Sequence, residues 1–146
     1  MFQISLRHLL VLVTLSAIAV VSVRYASATW EVIAVGLATI VFFGAVIVAL
    51  VGRGPGQAFA IGLAVVMTGY AFFKLQEKPP TTADFGMFTT YLLVHLVWKT
   101  GNVMPLEYVL PIGHVWFALF FGYVGGLFAR FVYMRRTKES PAPTTT

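Results

Sequence analysis

The last long apolar run of the chain, Gly113–Arg136, places the strongest restriction on what this sequence can fold into. A helix of this length crosses the roughly 30 Å of hydrocarbon in a bilayer, because each residue adds about 1.5 Å. The run ends in arginines, as cytoplasmic ends of membrane spans often do. With 59% hydrophobic and only 10% charged residues, the whole chain has the composition of a membrane protein.

Four apolar runs predict an all-α membrane protein with four transmembrane helices and both termini cytoplasmic. The spans are expected at about residues 6–24, 30–51, 58–75 and 110–134. Segment 85–98 is apolar but too short to cross, so we expect a short interfacial helix there, in the headgroup plane. The Pro/Thr-rich tail 137–146 is expected to be disordered.

The first run has two interpretations. Leu9–Val23 is either a retained helix or the apolar part of a secretory signal that is cleaved after the small residues Ala26-Ser27-Ala28. Arg24 lies between the apolar segment and this cleavage site, where a signal peptide does not normally carry a charge. The retained helix is therefore favoured.

The distribution of lysine and arginine predicts the orientation. With four alternating helices and a cytoplasmic N-terminus, six basic residues fall inside: Arg7, Arg53, Arg130, Arg135, Arg136 and Lys138. The other four fall outside: Arg24, Lys74, Lys78 and Lys99. The net charge of +5 could indicate binding of nucleic acid, but the sequence has no basic stripe with interleaved aromatic residues. The membrane topology explains the positions of the basic residues better. We expect a multi-pass protein of a cell inner membrane, with the lipid bilayer as its surroundings.

Two proline-containing stretches predict where helices stop. Gly52–Gln57 has the composition of a hairpin turn, and it lacks the Lys-Ser/Thr pair with which a phosphate-binding loop reaches its ligand. Pro105 and Pro111 are expected to bracket the approach to the last helix.

Small residues in the last helix predict its packing surface. They are Ala118, Gly122, Gly125 and Gly126. Small residues allow membrane helices to approach closely, so we expect this surface to pack within the protein or against a partner, either a second copy of the chain or another membrane protein.

The basic end of the same helix has two interpretations. Its cations are Arg130, Arg135, Arg136 and Lys138. A snorkelling arginine at position 130 is favoured over specific binding of an anionic lipid headgroup, which is the alternative.

Few residues have a pattern that indicates chemistry. There is no cysteine, no Gly-x-Ser-x-Gly motif and no His-Glu-x-x-His motif, so we expect neither an enzyme nor a metal site nor a cofactor. His95, His114 and Trp116 are predicted at the outer face, where hydrogen-bonded histidines are the default. The alternative is an accessory transport or redox subunit that binds haem, quinone or lipid near these three residues.

Several short blocks together resemble a group of small, uncharacterised bacterial inner-membrane proteins. The blocks are Phe2-x-Ile4-Ser5-Leu6-Arg7, Tyr25-Ala26-Ser27-Ala28-Thr29-Trp30, Arg53-Gly54 with Gln57-Ala58-Phe59, Gly113-His114 with Phe117-Ala118-Leu119, and Gly125-Gly126 with Ala129-Arg130. The resemblance covers nearly the whole chain. It implies a retained first helix and no known activity, so the leading hypothesis is a non-enzymatic small helical membrane subunit.

Overall fold

All regular structure in the described part of the chain is helical. The computed structural model describes residues 6–76, 88–99 and 106–139. Five helices follow one another there: α1 Leu6–Arg24, α2 Ala28–Val51, α3 Gly54–Gln76, α4 Phe88–Lys99 and α5 Leu106–Glu139. The predicted all-α class is confirmed.

Three of these helices are long and apolar enough to cross a membrane, which indicates a membrane protein. They are α2, α3 and α5, and they correspond to the second, third and fourth predicted spans. Helix α1 is not among these three, so the count of four spans stays a prediction. Helix α4 has 12 residues and covers about 18 Å, less than the hydrocarbon thickness.

Helix α2 begins at a serine cap. The backbone N–H of Trp30 lies 3.4 Å from the Ser27 hydroxyl oxygen, and the N–H of Glu31 donates to the Ser27 carbonyl at 2.9 Å. Ser27 thus accepts from N–H groups that have no partner inside the helix. The carboxylate of Glu31 in the first turn also stabilises the helix, because its negative charge interacts favourably with the positive end of the helix dipole.

The turn between α2 and α3 is shorter than the sequence predicts. Only Gly52 and Arg53 lie between the helices, whereas the predicted turn extended to Gln57. Proline is well tolerated in the first turn of a helix, so Pro55 starts α3 instead of prolonging the turn. Gly54 has φ of 70°, in the left-handed region that favours glycine. The Gln57 side chain donates from Nε2 to the carbonyl of Ala49 at 2.9 Å and so caps the end of α2.

Helix α5 begins one turn before the predicted span and ends beyond it. It starts at Leu106 and contains Pro111, so this proline lies inside the helix, as it does in the predicted span of 110–134, and does not mark the approach to the helix. The missing N–H of Pro111 removes a single hydrogen bond near the start of a 34-residue helix, which the rest of the helix tolerates. At the other end, α5 continues to Glu139, past the start of the predicted tail. Residues 77–87, with the start of the predicted interfacial segment, and the tail 140–146 lie outside the described residues.

The chain divides into two compact units. Unit 1 contains α1, the start of α2 up to Val35, α4, and the start of α5 up to Trp116. Unit 2 contains the remainder of α2, α3, and α5 from Phe117 onward. The buried apolar core of unit 2 consists of Ala45, Ala60, Leu63 and Met67. In unit 1 the buried positions combine apolar and polar side chains: Ser22, Ala34, Thr89, Thr90, Leu93, Val97, Val109, Ile112 and His114.

Candidate functional site

In unit 2, glycines of α5 pack directly against α3. A Cβ atom at Gly126 would lie 2.7 Å from a ring carbon of Phe59 and 2.9 Å from its carbonyl oxygen. One turn earlier, a Cβ atom at Gly122 would lie 2.7 Å from Cγ of Met67. Both distances are far below ordinary van der Waals contact, so only glycine fits at these two positions without a shift in α3.

The two backbones approach each other at Gly62 of α3 and Gly125 of α5. A Cβ atom at Gly62 would lie 2.5 Å from the carbonyl oxygen of Gly125 and 2.6 Å from Cβ of Ala129. A Cβ atom at Gly125 would overlap Val66. We call these four glycines, at which α3 and α5 pack closely, the glycine seam: Gly62, Gly122, Gly125 and Gly126. Gly62 is its one member that the sequence analysis did not assign, because a run of small residues shows no pairing register.

Aromatic pairs flank the glycine seam and fix its direction. Phe59 meets Tyr123 edge to face, with ring centroids 5.7 Å apart, and Tyr70 lies 6.1 Å from Phe121. Later residues of α3 therefore contact earlier residues of α5, and the two helices are antiparallel. Ala118, the remaining member of the predicted packing surface, is partly buried, and the adjacent Leu119 packs on the core of unit 2.

In unit 1, helix α4 is held to α5 by a buried polar pair. Oγ1 of Thr90 lies 3.1 Å from Nε2 of His114, and these residues are 1% and 5% exposed. Beside this pair the Leu93 side chain packs on Gly113, where a Cβ atom would lie 2.5 Å from it. His114 is thus a hydrogen-bonded histidine that faces α4.

A second polar contact holds α1 to α5. The indole Nε1–H of Trp116 donates to the Ser22 hydroxyl at 2.8 Å, and this hydroxyl donates to the Ala19 carbonyl of its own helix at 2.8 Å. Ser22 is fully buried. The indole N–H of this partly buried tryptophan requires an acceptor, and Ser22 supplies it from a helix 94 residues away in sequence.

His95 lies on the other side of α4. The buried positions of this helix include Thr90, Leu93 and Val97, and at 100° per residue His95 lies roughly 170° from their centre. Its ring is exposed and stacks on Tyr91, with centroids 6.0 Å apart. The three residues predicted as an outer-face ligand set therefore have separate surroundings: His114 contacts α4, Trp116 contacts α1, and His95 is exposed. Among the described residues, no three His, Cys, Asp or Glu side chains form a group able to hold a metal ion.

The predicted headgroup arginines lie at the end of α5 and are exposed. They are Arg130, Arg135 and Arg136. The guanidinium of Arg135 lies 4.8 Å from the centre of the Phe131 ring, a cation–π contact. Lys138 belongs to the same helix, and its side chain lies outside the described part of the structure.

Comparisons with protein-family models, with curated proteins and with solved structures gave no match. The resemblance to small bacterial inner-membrane proteins thus stays an expectation, and the function has to be argued from the residues themselves.

Proposed function

We propose that this chain is a non-enzymatic, small helical subunit of a membrane assembly, and that it acts through helix packing. The observation that carries the proposal is the glycine seam, at which α3 and α5 approach to backbone contact. Helices associate in lipid through close packing and hydrogen bonds, since the hydrophobic effect does not drive them together there. The close approach of α3 and α5 therefore makes them a well-packed pair. In contrast, α2 leaves most of its apolar side chains exposed, so its surface remains for lipid or for a neighbouring subunit.

The proposed setting is a bacterial inner membrane, which the chain crosses four times with both termini in the cytoplasm. The lengths of α2, α3 and α5 support three of these crossings. The excess of lysine and arginine on the segments that would face the cytoplasm supports the orientation. The hydrogen bond from Trp116 to Ser22 supports a retained α1, because cleavage after Ala28 would remove the acceptor of this partly buried indole.

Single-cysteine labelling tests this topology, and the natural absence of cysteine makes the chain suited to it. With a membrane-impermeant maleimide added to intact cells, we expect Ala26→Cys and Thr82→Cys to react. Gln3→Cys, Arg53→Cys and Thr144→Cys should react only after the membrane is permeabilised. Reaction of Gln3→Cys in intact cells would show that α1 does not cross, and would reduce the count to three spans.

Cross-linking in native membranes tests the subunit role. We expect the wild-type chain to appear in cross-linked species larger than its 16.0 kDa monomer. Gly62→Leu places a side chain where the backbone of α5 lies, so it should disturb the fold and abolish these species. A properly folded wild-type chain that is recovered only as the monomer would contradict the proposal.

The second function considered from the sequence, binding of haem, quinone or lipid at His95, His114 and Trp116, has no supporting observation of this kind. The His114 and Trp116 side chains are used in contacts between helices, and His95 lies on the opposite face of α4.

A further inference from the structure

The antiparallel register of α3 and α5 gathers four arginines at one end of unit 2. Phe59 and Gly126 lie at the same level. From that level, at about 1.5 Å per residue, Arg130 lies about 6 Å toward the end of the unit and Arg53 about 9 Å. Arg135 and Arg136 lie about 14–15 Å toward the same end. We call these four residues the arginine end.

The arginine end has almost no acidic counterpart in sequence. Residues 36–76 and 117–137 contain no Asp or Glu, and Glu139 is the first carboxylate that follows the arginines. At the opposite end of α3 the basic residue is Lys74 alone. The two ends of unit 2 therefore differ strongly in charge.

The four arginine side chains are exposed, and their donors face the surroundings of the protein. A guanidinium group has five N–H donors and no acceptor, so it requires oxygen atoms from elsewhere. The contact of Arg135 with the Phe131 ring orients the group but provides no oxygen. Phosphate oxygens suit this geometry well, because a guanidinium group binds two of them side by side.

We propose that the arginine end binds the headgroup phosphates of anionic phospholipids. The headgroup region of one leaflet is about 5–8 Å thick, and the four arginines are spread over about 9 Å along the helix axis. Side chains of this length thus reach one layer of phosphates from all four positions. We assign the phosphates to lipids because the surface of the same unit carries many exposed apolar side chains, which require acyl chains around them. This inference requires a bilayer and is independent of the packing role.

The test compares spin-labelled phosphatidylglycerol with spin-labelled phosphatidylcholine on the full-length protein in reconstituted membranes. Electron spin resonance gives the ratio of their association constants, and we expect the wild type to prefer phosphatidylglycerol. A cation near the surface contributes about 1 kcal/mol, so each Arg→Gln change should lower the preference by up to about fivefold. The variant R53Q/R130Q/R135Q/R136Q should show no preference for phosphatidylglycerol. The preference should also decrease with added salt.

Three controls keep the outcome clear. Lys74→Gln, at the other end of α3, should change the preference less than twofold. The four Arg→Lys changes keep the charge but not the side-by-side N–H donors, so the preference should fall below that of the wild type and stay above that of the glutamine variant; a preference equal to that of the wild type would overturn the role given to the guanidinium geometry. Replacing chloride with inorganic phosphate at equal ionic strength should have no effect, since a specific loss would assign the arginines to a free anion. No preference in the wild type would overturn the proposal outright.

Discussion

Gly62→Ala is expected to lower the free energy of unfolding by about 3 kcal/mol, the upper part of the range for overpacked sites. The added methyl group would lie 2.5 Å from the carbonyl oxygen of Gly125 and 2.6 Å from Cβ of Ala129. Neither of these atoms can rotate away, because both are fixed to the backbone of α5. The two helices have to separate, and every contact of the glycine seam then weakens.

Gly69→Ala is the matched control on the same helix. Gly69 has no atom within 4 Å of an added Cβ, so alanine enters open space. Alanine is favoured over glycine inside a helix by about 0.5–1 kcal/mol, so this variant should be neutral or slightly more stable. The same chemical change is therefore expected to have opposite signs at two positions of α3.

Two further glycines complete the series and show that the effect depends on what the methyl group meets. Gly125→Ala places it against Val66, a β-branched side chain with little rotamer freedom, and should be nearly as destabilising as Gly62→Ala. At Gly113 the atoms it meets belong to the flexible Leu93 side chain, so the cost should be smaller. Equilibrium unfolding in mixed micelles measures all four variants. Equal shifts for Gly62→Ala and Gly69→Ala would contradict the packing described for the seam.

The sequence allows one partner of this seam to be predicted and not the other. Glycines at 122 and 126 recur every four residues in an apolar helix, a spacing that indicates a packing surface whatever the fold. Their partner on α3 depends on the relative register and direction of two helices. Helix α3 has small residues along much of its length, so the sequence does not distinguish Gly62, which is packed, from Gly69, which is open.

The helix ends, too, are predictable from the sequence only in part. The apolar lengths of α2 and α3 predict their positions well, because a run of apolar residues in lipid has to be helical. Pro55 and Pro111 are harder to interpret, because a proline both ends helices and is tolerated in or near a first turn. The structure has Pro55 at the start of α3 and Pro111 within α5. Which role applies depends on how far the helix extends before the proline, and local sequence does not settle this.

Thr90→Val is expected to lower the free energy of unfolding by about 2 kcal/mol. Valine keeps the shape and the β-branched rotamer of threonine, so packing and helix propensity hardly change. The substitution removes the hydroxyl that lies 3.1 Å from Nε2 of His114 in a site where both residues are buried. Loss of a partner by a buried polar group costs about 1–3 kcal/mol, since no water replaces it. The same unfolding measurement in mixed micelles reports the change.

Thr68→Val separates this effect from the general cost of removing a hydroxyl. The Thr68 side chain is exposed and donates to the Ala64 carbonyl of its own helix at 2.8 Å, so its loss should change stability by less than about 0.5 kcal/mol. In the double variant Thr90→Val/His114→Leu both polar groups are absent, and the total cost should be smaller than the sum of the two single changes by about 1 kcal/mol. Additive costs would mean that the Thr90 hydroxyl and the His114 imidazole do not stabilise each other. The docking of α4 on α5 would then not depend on this polar pair.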